Sequence, residues 1–426
     1  MKLLIDYSPE QLAEFESVVQ KKYDDYLGKD ICLNMARGKP SPSQLDLSDD
    51  LFDLSGKECG YFSADGIDCR NYGELYGLKE CRQLFGEMLG VSYENVIACG
   101  SSSLNLMFDY IAQCYYKGVN GCAPWSQNDN RKFIAVVPGY DRHFAIAEYF
   151  GLKMINVPMT AGGPDMDLIE DLIKDPDVKG MFCVPKYSNP DGITYSDETI
   201  CRLAAMEPAA DDFRVIWDAA YIVHDLDENG DKLLNIFDEA KKYGNEDNFI
   251  AFTSTSKITF AGAGVSAIAA SDKNFKEISS RLTLQIISYD KINQLKFCHL
   301  YKTLDDIKLQ MKKHAAIMGP KFRVVLDVLE RELGGLGIAE WNEPKGGYFI
   351  SLDVVKGSAK YVGELCVRAG LTLTNVGATY PYGVDPDDKN IRLAPSYPTV
   401  DELEIAADII CAAVKLAACK AIKESR

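Results

Sequence analysis

"NFIAFTSTSKITFAGAGV", residues 248–265, decides how the rest of the chain reads. Phe249, Ile250, Ala251 and Phe252 form a short apolar run, followed by hydroxyl residues, one lysine and a glycine-rich run with no other charge. Such a run suits a strand buried on both faces, with Lys257 just beyond its end. Similar runs recur upstream: "NVIACG" (95–100), "KFIAVVPG" (132–139), "KMINVPM" (153–159), "KGMFCVPK" (179–186) and "FRVIWDAAY" (213–221). Helical patterns lie between several of them. In "SSSLNLMFDYIAQCYY" (101–116), Leu104, Met107, Phe108 and Ile111 fall at helical spacing; 140–151, 166–174 and 196–206 read alike. Strands alternating with helices predict an α/β fold with a mostly parallel central sheet covered on both faces.

The flanks differ. Residues 9–27 read as an amphipathic helix, and 37–48 as a loop containing Pro40 and Pro42. A further helix is expected over about 78–90. Beyond 275, helical segments run to about 335. Three strand-like segments follow, "GGYFISLDV" (346–354), "GLTLTNV" (370–376) and "KNIRLAPS" (389–396), then a helix over 400–422. We expect residues 1–50 to form a helix and arm packing on the small domain, 51–310 a large domain, and 311–426 a small α+β domain.

The chain has 426 residues, 47% of them hydrophobic, enough for more than one core. Its net charge of −17, from 46 basic and 63 acidic residues, argues against nucleic acid as a partner. The 13 cysteines (Cys32, Cys59, Cys69, Cys81, Cys99 and onward to Cys419) show no paired C-x-x-C sets, and there are four histidines. This argues against a zinc site and reads as reduced thiols in the cytoplasm. "MKLLIDYSPEQLAEF" turns polar after five residues, unlike a signal peptide, and no apolar run is long enough to span a membrane.

In open α/β sheets ligands sit beyond the carboxyl ends of the strands, so the residues there carry the functional reading. Gly100, Ser101 and Ser102 open a helix and suit either an anion or an ordinary N-cap. Tyr140 is placed to stack on a flat ligand or to join the core. Asn189 belongs to a turn or aims its amide into a cleft. Asp218, with Tyr221 three residues later, is costly to bury unless something positive meets it. Lys257 is nucleophilic if desolvated, and otherwise a snorkelling surface lysine. Arg392 suits a bidentate carboxylate clamp or an internal salt bridge. No P-loop pattern is present.

The ordered set "SNPDG" (188–192), "DAAY" (218–221), "STSK" (254–257) and "NIRLAPS" (390–396) resembles the fold-type I pyridoxal phosphate enzymes, and more narrowly the class I aminotransferases. "LNMARGKPSP", "NYGELYGLKE", "PGYDRHF", "VPKYSNPDG" and "GATYPYG" are similar to a divergent bacterial aspartate aminotransferase subgroup, over roughly residues 30–415. The resemblance implies that Lys257 carries pyridoxal phosphate (PLP) as a Schiff base. Asp218 would meet the ring nitrogen, Tyr221 and Asn189 the ring hydroxyl, and Tyr140 the ring face. Gly100, Ser101, Ser102, Ser254 and Ser256 would surround the phosphate. Tyr72 would reach the phosphate of a second subunit, implying a homodimer with shared sites. Arg392 would hold the substrate α-carboxylate, with Gly38 and Asn189 on the substrate side. Related enzymes carry a phosphate-binding arginine eight residues after the lysine, where this chain has Val265.

The implied reaction moves an amino group between an amino acid, aspartate or glutamate, and a 2-oxo acid, oxaloacetate or 2-oxoglutarate. Lys257 would be the proton carrier. A dicarboxylic substrate needs a second cation, and Arg37, Lys39, Arg142 and Lys186 are the candidates. A PLP-dependent carbon–sulfur β-lyase would share the same cofactor residues. An aminotransferase-like ligand sensor would need a DNA-binding module.

Overall fold

The strands form where the apolar runs stand. The computed structural model describes residues 2–54 and 60–426, so Cys59 lies outside the described residues. In chain order the strands are β1 (Leu33–Asn34), β2 (Val96–Ala98), β3 (Lys132–Val137), β4 (Lys153–Thr160), β5 (Gly163–Pro164), β6 (Val178–Cys183), β7 (Arg214–Asp218), β8 (Phe249–Ser254), β9 (Ser266–Ala270), β10 (Ala339–Trp341), β11 (Ile350–Val354), β12 (Leu371–Thr372) and β13 (Asn390–Leu393). The central sheet has the order β2-β9-β8-β7-β6-β3-β4-β5. Strands β4, β3, β6, β7 and β8 run parallel, while β5, β9 and β2 pair antiparallel with their neighbours. Alternate residues of each strand serve opposite faces. Ile250 and Phe252 pack with Ile216, Phe182 and Ile268 beneath the helices Ser103–Lys117 and Asp272–Gln285. Phe249 and Ala251 pack with Val215, Trp217 and Met181 beneath the helices Lys79–Leu89 and Asp197–Ala204.

Strand β9 was not foreseen. Its sequence, "SAIAA", is rich in alanine and has one β-branched residue, Ile268, and no aromatic one, too few to announce a strand. Its pairing matters for the site. Ser254 of β8 faces Ser266 of β9, so residues 255–265 form the connection of an antiparallel pair. The Thr255 N–H donates to the Val265 carbonyl (2.8 Å), and the Val265 N–H to the Thr255 hydroxyl (2.9 Å). Lys257 therefore projects from a loop pinned at its base.

The smaller unit is built on the antiparallel sheet β10-β11-β13. The helices Pro9–Leu27, Leu304–Leu333, Ala359–Arg368 and Val400–Glu424 share a core with it. The segment 370–376, expected as a strand, contributes only the two residues of β12, paired in parallel with β1. Leu373, Thr374 and Asn375 instead turn toward a cavity. The expected division at 310/311 falls inside the helix Leu304–Leu333. Ile307 and Met311 of this helix belong to the large core, and Met318 and Phe322 to the small one.

Ile250 is fully buried on the central strand. Ile250→Ala is expected to destabilise the protein by ~2–5 kcal/mol, read as a lowered urea midpoint.

Candidate active site

Parallel strands end at one edge, and that edge is where the site is assembled. Asp218 ends β7 and pairs in register with Phe252 of β8, two residues before Ser254 and five before Lys257. Asn189 lies in the segment after β6, and Tyr140 in the short turn after β3. From the small unit, β13 brings Arg392 across. These residues, with Gly38, Tyr221 and Ser254, line one cavity of about 650 Å³.

Asp218 lies at the cavity and is 4% exposed. Its Oδ2 accepts from His143 Nε2 at 3.0 Å, while its Oδ1 is buried without a hydrogen-bond partner. His143 is buried and stacks on Phe182, with ring centroids 4.4 Å apart and planes 8° from parallel. Tyr140 meets the edge of the same imidazole at 4.9 Å, and burial pushes its hydroxyl pKa up to about 12. A lone buried carboxylate oxygen costs about 1–3 kcal/mol or more. It is a place for a ligand N–H or cation.

The Lys257 amine lies over the faces of Tyr221 (5.0 Å) and Tyr348 (5.8 Å). Burial lowers its pKa from the ordinary lysine value, and the charge of Asp218 opposes part of that shift. More of its amine is therefore unprotonated at a given pH than in a surface lysine, as a nucleophile and proton acceptor requires. Behind it sit two buried histidines. His314 donates from Nε2 to the Ile258 carbonyl (3.0 Å), and its Nδ1 meets Gln44 Nε2 (3.2 Å). Burial lowers its pKa to about 4. His224 packs edge-on against Tyr221 (5.6 Å) with neither ring nitrogen partnered, and burial holds it well below the ordinary value.

Arg392 is 6% exposed. Its Nη1 donates to Asp141 Oδ1 (2.8 Å) and Asn189 Oδ1 (3.2 Å), and its Nε to the Thr374 hydroxyl (3.3 Å). The guanidinium lies 5.0 Å from the centre of the Phe349 ring. Gly38 closes on the same ring: a Cβ there would stand 2.5 Å from Phe349 Cζ. Glycine is required by this close approach.

The expected phosphate residues are split. Gly100, Ser101 and Ser102 line a second cavity of about 280 Å³ with Gln285, Ile286 and Tyr289. Ser103 and Leu104, one step on, line the first. A hydroxyl chain joins the two: Ser254 donates to Ser256 (3.1 Å), which donates to the Ser101 carbonyl (3.2 Å). Ser102 caps the helix Ser103–Lys117 through the Asn105 N–H. Tyr72 is 78% exposed and lines neither cavity. Val265 is buried in the large core, so its side chain offers nothing to a phosphate. Of the four candidate cations, Arg37, Lys39 and Arg142 line the first cavity. Lys186 does not; it pairs with Asp225 (2.8 Å) and the Ile222 carbonyl.

Sequence reasoning missed His143, Asp141, His224, His314, Tyr348 and Phe349. His143 stands three residues after Tyr140 on a helix opening at a strand end, and that spacing was a usable signal. The contacts of His314 and Phe349 come from segments far apart in the chain, and no local pattern announces them.

Two outcomes are expected. Val265→Arg would bury an unpaired guanidinium among apolar side chains. It should cost about 3 kcal/mol or more, read as a lower thermal midpoint, without improving phosphate binding. His314 titrates near 6.5 when unfolded and at about 4 when folded. Between those values the unfolded chain takes up a proton that the fold refuses, so stability falls as pH drops through this window. At the lower end the loss is about 3 kcal/mol. His314→Gln should show a correspondingly shallower fall in thermal midpoint between pH 7 and pH 4 than the unaltered protein.

The profile of the aspartate amino-transferase family matches residues 7–425. An aspartate aminotransferase of Corynebacterium glutamicum is 47% identical over 416 residues, 97% of this chain and 96% of that one. The crystal structure of an aspartate transaminase from the same species superimposes with a TM-score of 0.96 at 46% identity, covering 99% of each chain. An alpha-aminoadipate aminotransferase from Thermus thermophilus, solved with N-(5'-phosphopyridoxyl)-L-leucine, shares the fold at a TM-score of 0.74 and 19% identity, covering 97% of this chain and 98% of that one. The chain belongs to the aspartate aminotransferase family.

Proposed function

We propose that this aspartate aminotransferase family member moves the amino group of aspartate or glutamate to a 2-oxo acid, with pyridoxal phosphate held in the 650 Å³ cavity. The observation that carries the cofactor reading is the pairing of a lowered-pKa lysine with an unpartnered buried carboxylate oxygen, Asp218 Oδ1, at the same cavity. The donor set fits the group: a carboxylate for the ring nitrogen, an aromatic face at Tyr140, and hydroxyls with a helix N-terminus for the phosphate. When bound, pyridoxal phosphate supplies an electron sink for the Cα–H bond and a carbon that accepts the amino group.

The chain's own residues do the rest. Asp218, held by His143 at one oxygen, would offer its other oxygen to the ring nitrogen at the buried end of the site. Lys257 would hold the group through Nζ, and its free amine would take the Cα proton at Nζ and hand it back. Its neutral form is favoured by burial, and the two aromatic faces hold a place for its charged form. Arg392 holds the substrate α-carboxylate against Phe349, with Asn189 beside it. A carboxylate arriving there meets Asp141 already on Nη1, so Asp141 must yield or share.

We also infer a homodimer. Tyr72 stands exposed on a loop whose carbonyls, of Asn71 and Gly73, are held by the buried Lys291 amine (2.7 and 2.8 Å). Leu284 and Ile287 are exposed beside residues that line the Gly100–Ser102 cavity. A second copy covering this face would bring Tyr72 to its neighbour's phosphate. No helix among the described residues is long and apolar enough to cross a membrane.

Lys257→Ala is expected to lower turnover with aspartate and 2-oxoglutarate by ~10²–10⁴-fold or more, while the variant still retains pyridoxal phosphate on a desalting column. Near-native turnover would remove Lys257 from the mechanism. In the unaltered protein, aspartate alone should abolish the visible absorbance of the lysine-bound cofactor.

A further inference from the structure

A chain of net charge −17 gathers five cations at one cavity, Arg37, Lys39, Arg142, Lys257 and Arg392, against two carboxylates, Asp141 and Asp218. Local positive charge in an acidic protein favours an anionic substrate there. Most of these charges already have partners. Arg392 holds Asp141, and Asp218 holds His143. The Lys39 ammonium sits over the Tyr397 ring at 3.7 Å, and Lys257 sits over Tyr221. Arg37 has no ion pair or side-chain hydrogen bond among the described residues, and it lines the cavity.

Its backbone is fixed to Arg392 by two routes. The Thr374 hydroxyl accepts from Arg392 Nε (3.3 Å) and donates to the carbonyl of Ala36 (2.6 Å). On the other side, Gly38 presses on the Phe349 ring that underlies the Arg392 guanidinium. Arg37 is thus held between two residues that contact the apparatus of Arg392, with its own guanidinium uncommitted. Arg142 also lines the cavity and likewise has no ion pair or side-chain hydrogen bond among the described residues, but it stands on the helix Asp141–Tyr149 beside Tyr140, and its backbone lacks the two ties to Thr374 and Phe349 that hold Arg37.

We propose that Arg37 is the specificity residue of this site: it binds the distal carboxylate of a dicarboxylic amino acid or oxo acid whose α-carboxylate lies on Arg392. The proposal rests on the aspartate reading above. It assigns both substrate carboxylates to one chain, with no cation borrowed from a second copy.

The test compares Arg37→Ala and Arg142→Ala with the unaltered holoenzyme. The substrates are aspartate and alanine, and maleate serves as an unreactive dicarboxylate. Arg37 is exposed, so the variant is expected to fold. Arg37→Ala should raise KM for aspartate and the inhibition constant of maleate by ~10–100-fold, with kcat/KM for alanine within about twofold of the unaltered value. Arg142→Ala should not show this selective loss. Equal effects on aspartate and alanine, no effect on either, or a selective loss that follows Arg142→Ala would each overturn the assignment to Arg37. An unaltered enzyme that does not prefer aspartate over alanine would overturn the aspartate reading, and the assignment with it.

Discussion

The site is organised around one buried carboxylate that is only half satisfied. Asp218 ends a strand in the middle of the sheet, where it is 4% exposed. Its charge is tolerable because His143 donates to one oxygen, and His143 is itself clamped against Phe182. The other oxygen is left over. Much of the surrounding architecture serves that arrangement. The parallel register brings the ends of β7 and β8 to one edge, and the antiparallel return through β9 closes the lysine loop beside it.

The two units divide the labour chemically. The sheet edge of the larger unit carries the acid, the amine and the hydroxyls. The smaller unit supplies Arg392, Phe349 and Thr374. Between them, Asn189 and Asp141 reach from the larger unit to the guanidinium. The grip proposed for a substrate carboxylate would thus be assembled from both, and its geometry would depend on how the two lie against one another.

Much of this was legible in the sequence, for identifiable reasons. Val/Ile/Phe runs without alternation mark strands buried on both faces, and the residues just past them are where a parallel sheet places its ligands. Lys257, Asp218, Asn189 and Tyr140 were singled out on that basis and Arg392 for its carboxylate-binding chemistry, and all five line a single cavity. The alanine-rich β9, with Ile268 its one β-branched residue, gave little strand signal because its place is set by pairing with β2 and β8. The segment 370–376 looked like a full strand by composition, yet most of it is drawn off to line the cavity. His143, His314 and Phe349 act through contacts between distant segments, which spacing along one element does not reveal. The position of Val265 was read correctly as lacking a charge. That it is a packed core residue, with no room for one, required the fold.

The helix Leu304–Leu333 passes without interruption from one core to the other, and Pro320 lies inside it, after Gly319. Proline has no N–H to offer the Ala316 carbonyl, so the helix lacks one rung of its ladder just past the point where its packing changes hands. A rod with a missing rung bends there more readily than elsewhere. The shaft that ties the two units together is therefore also its own flexural joint, and its compliance is set by covalent structure.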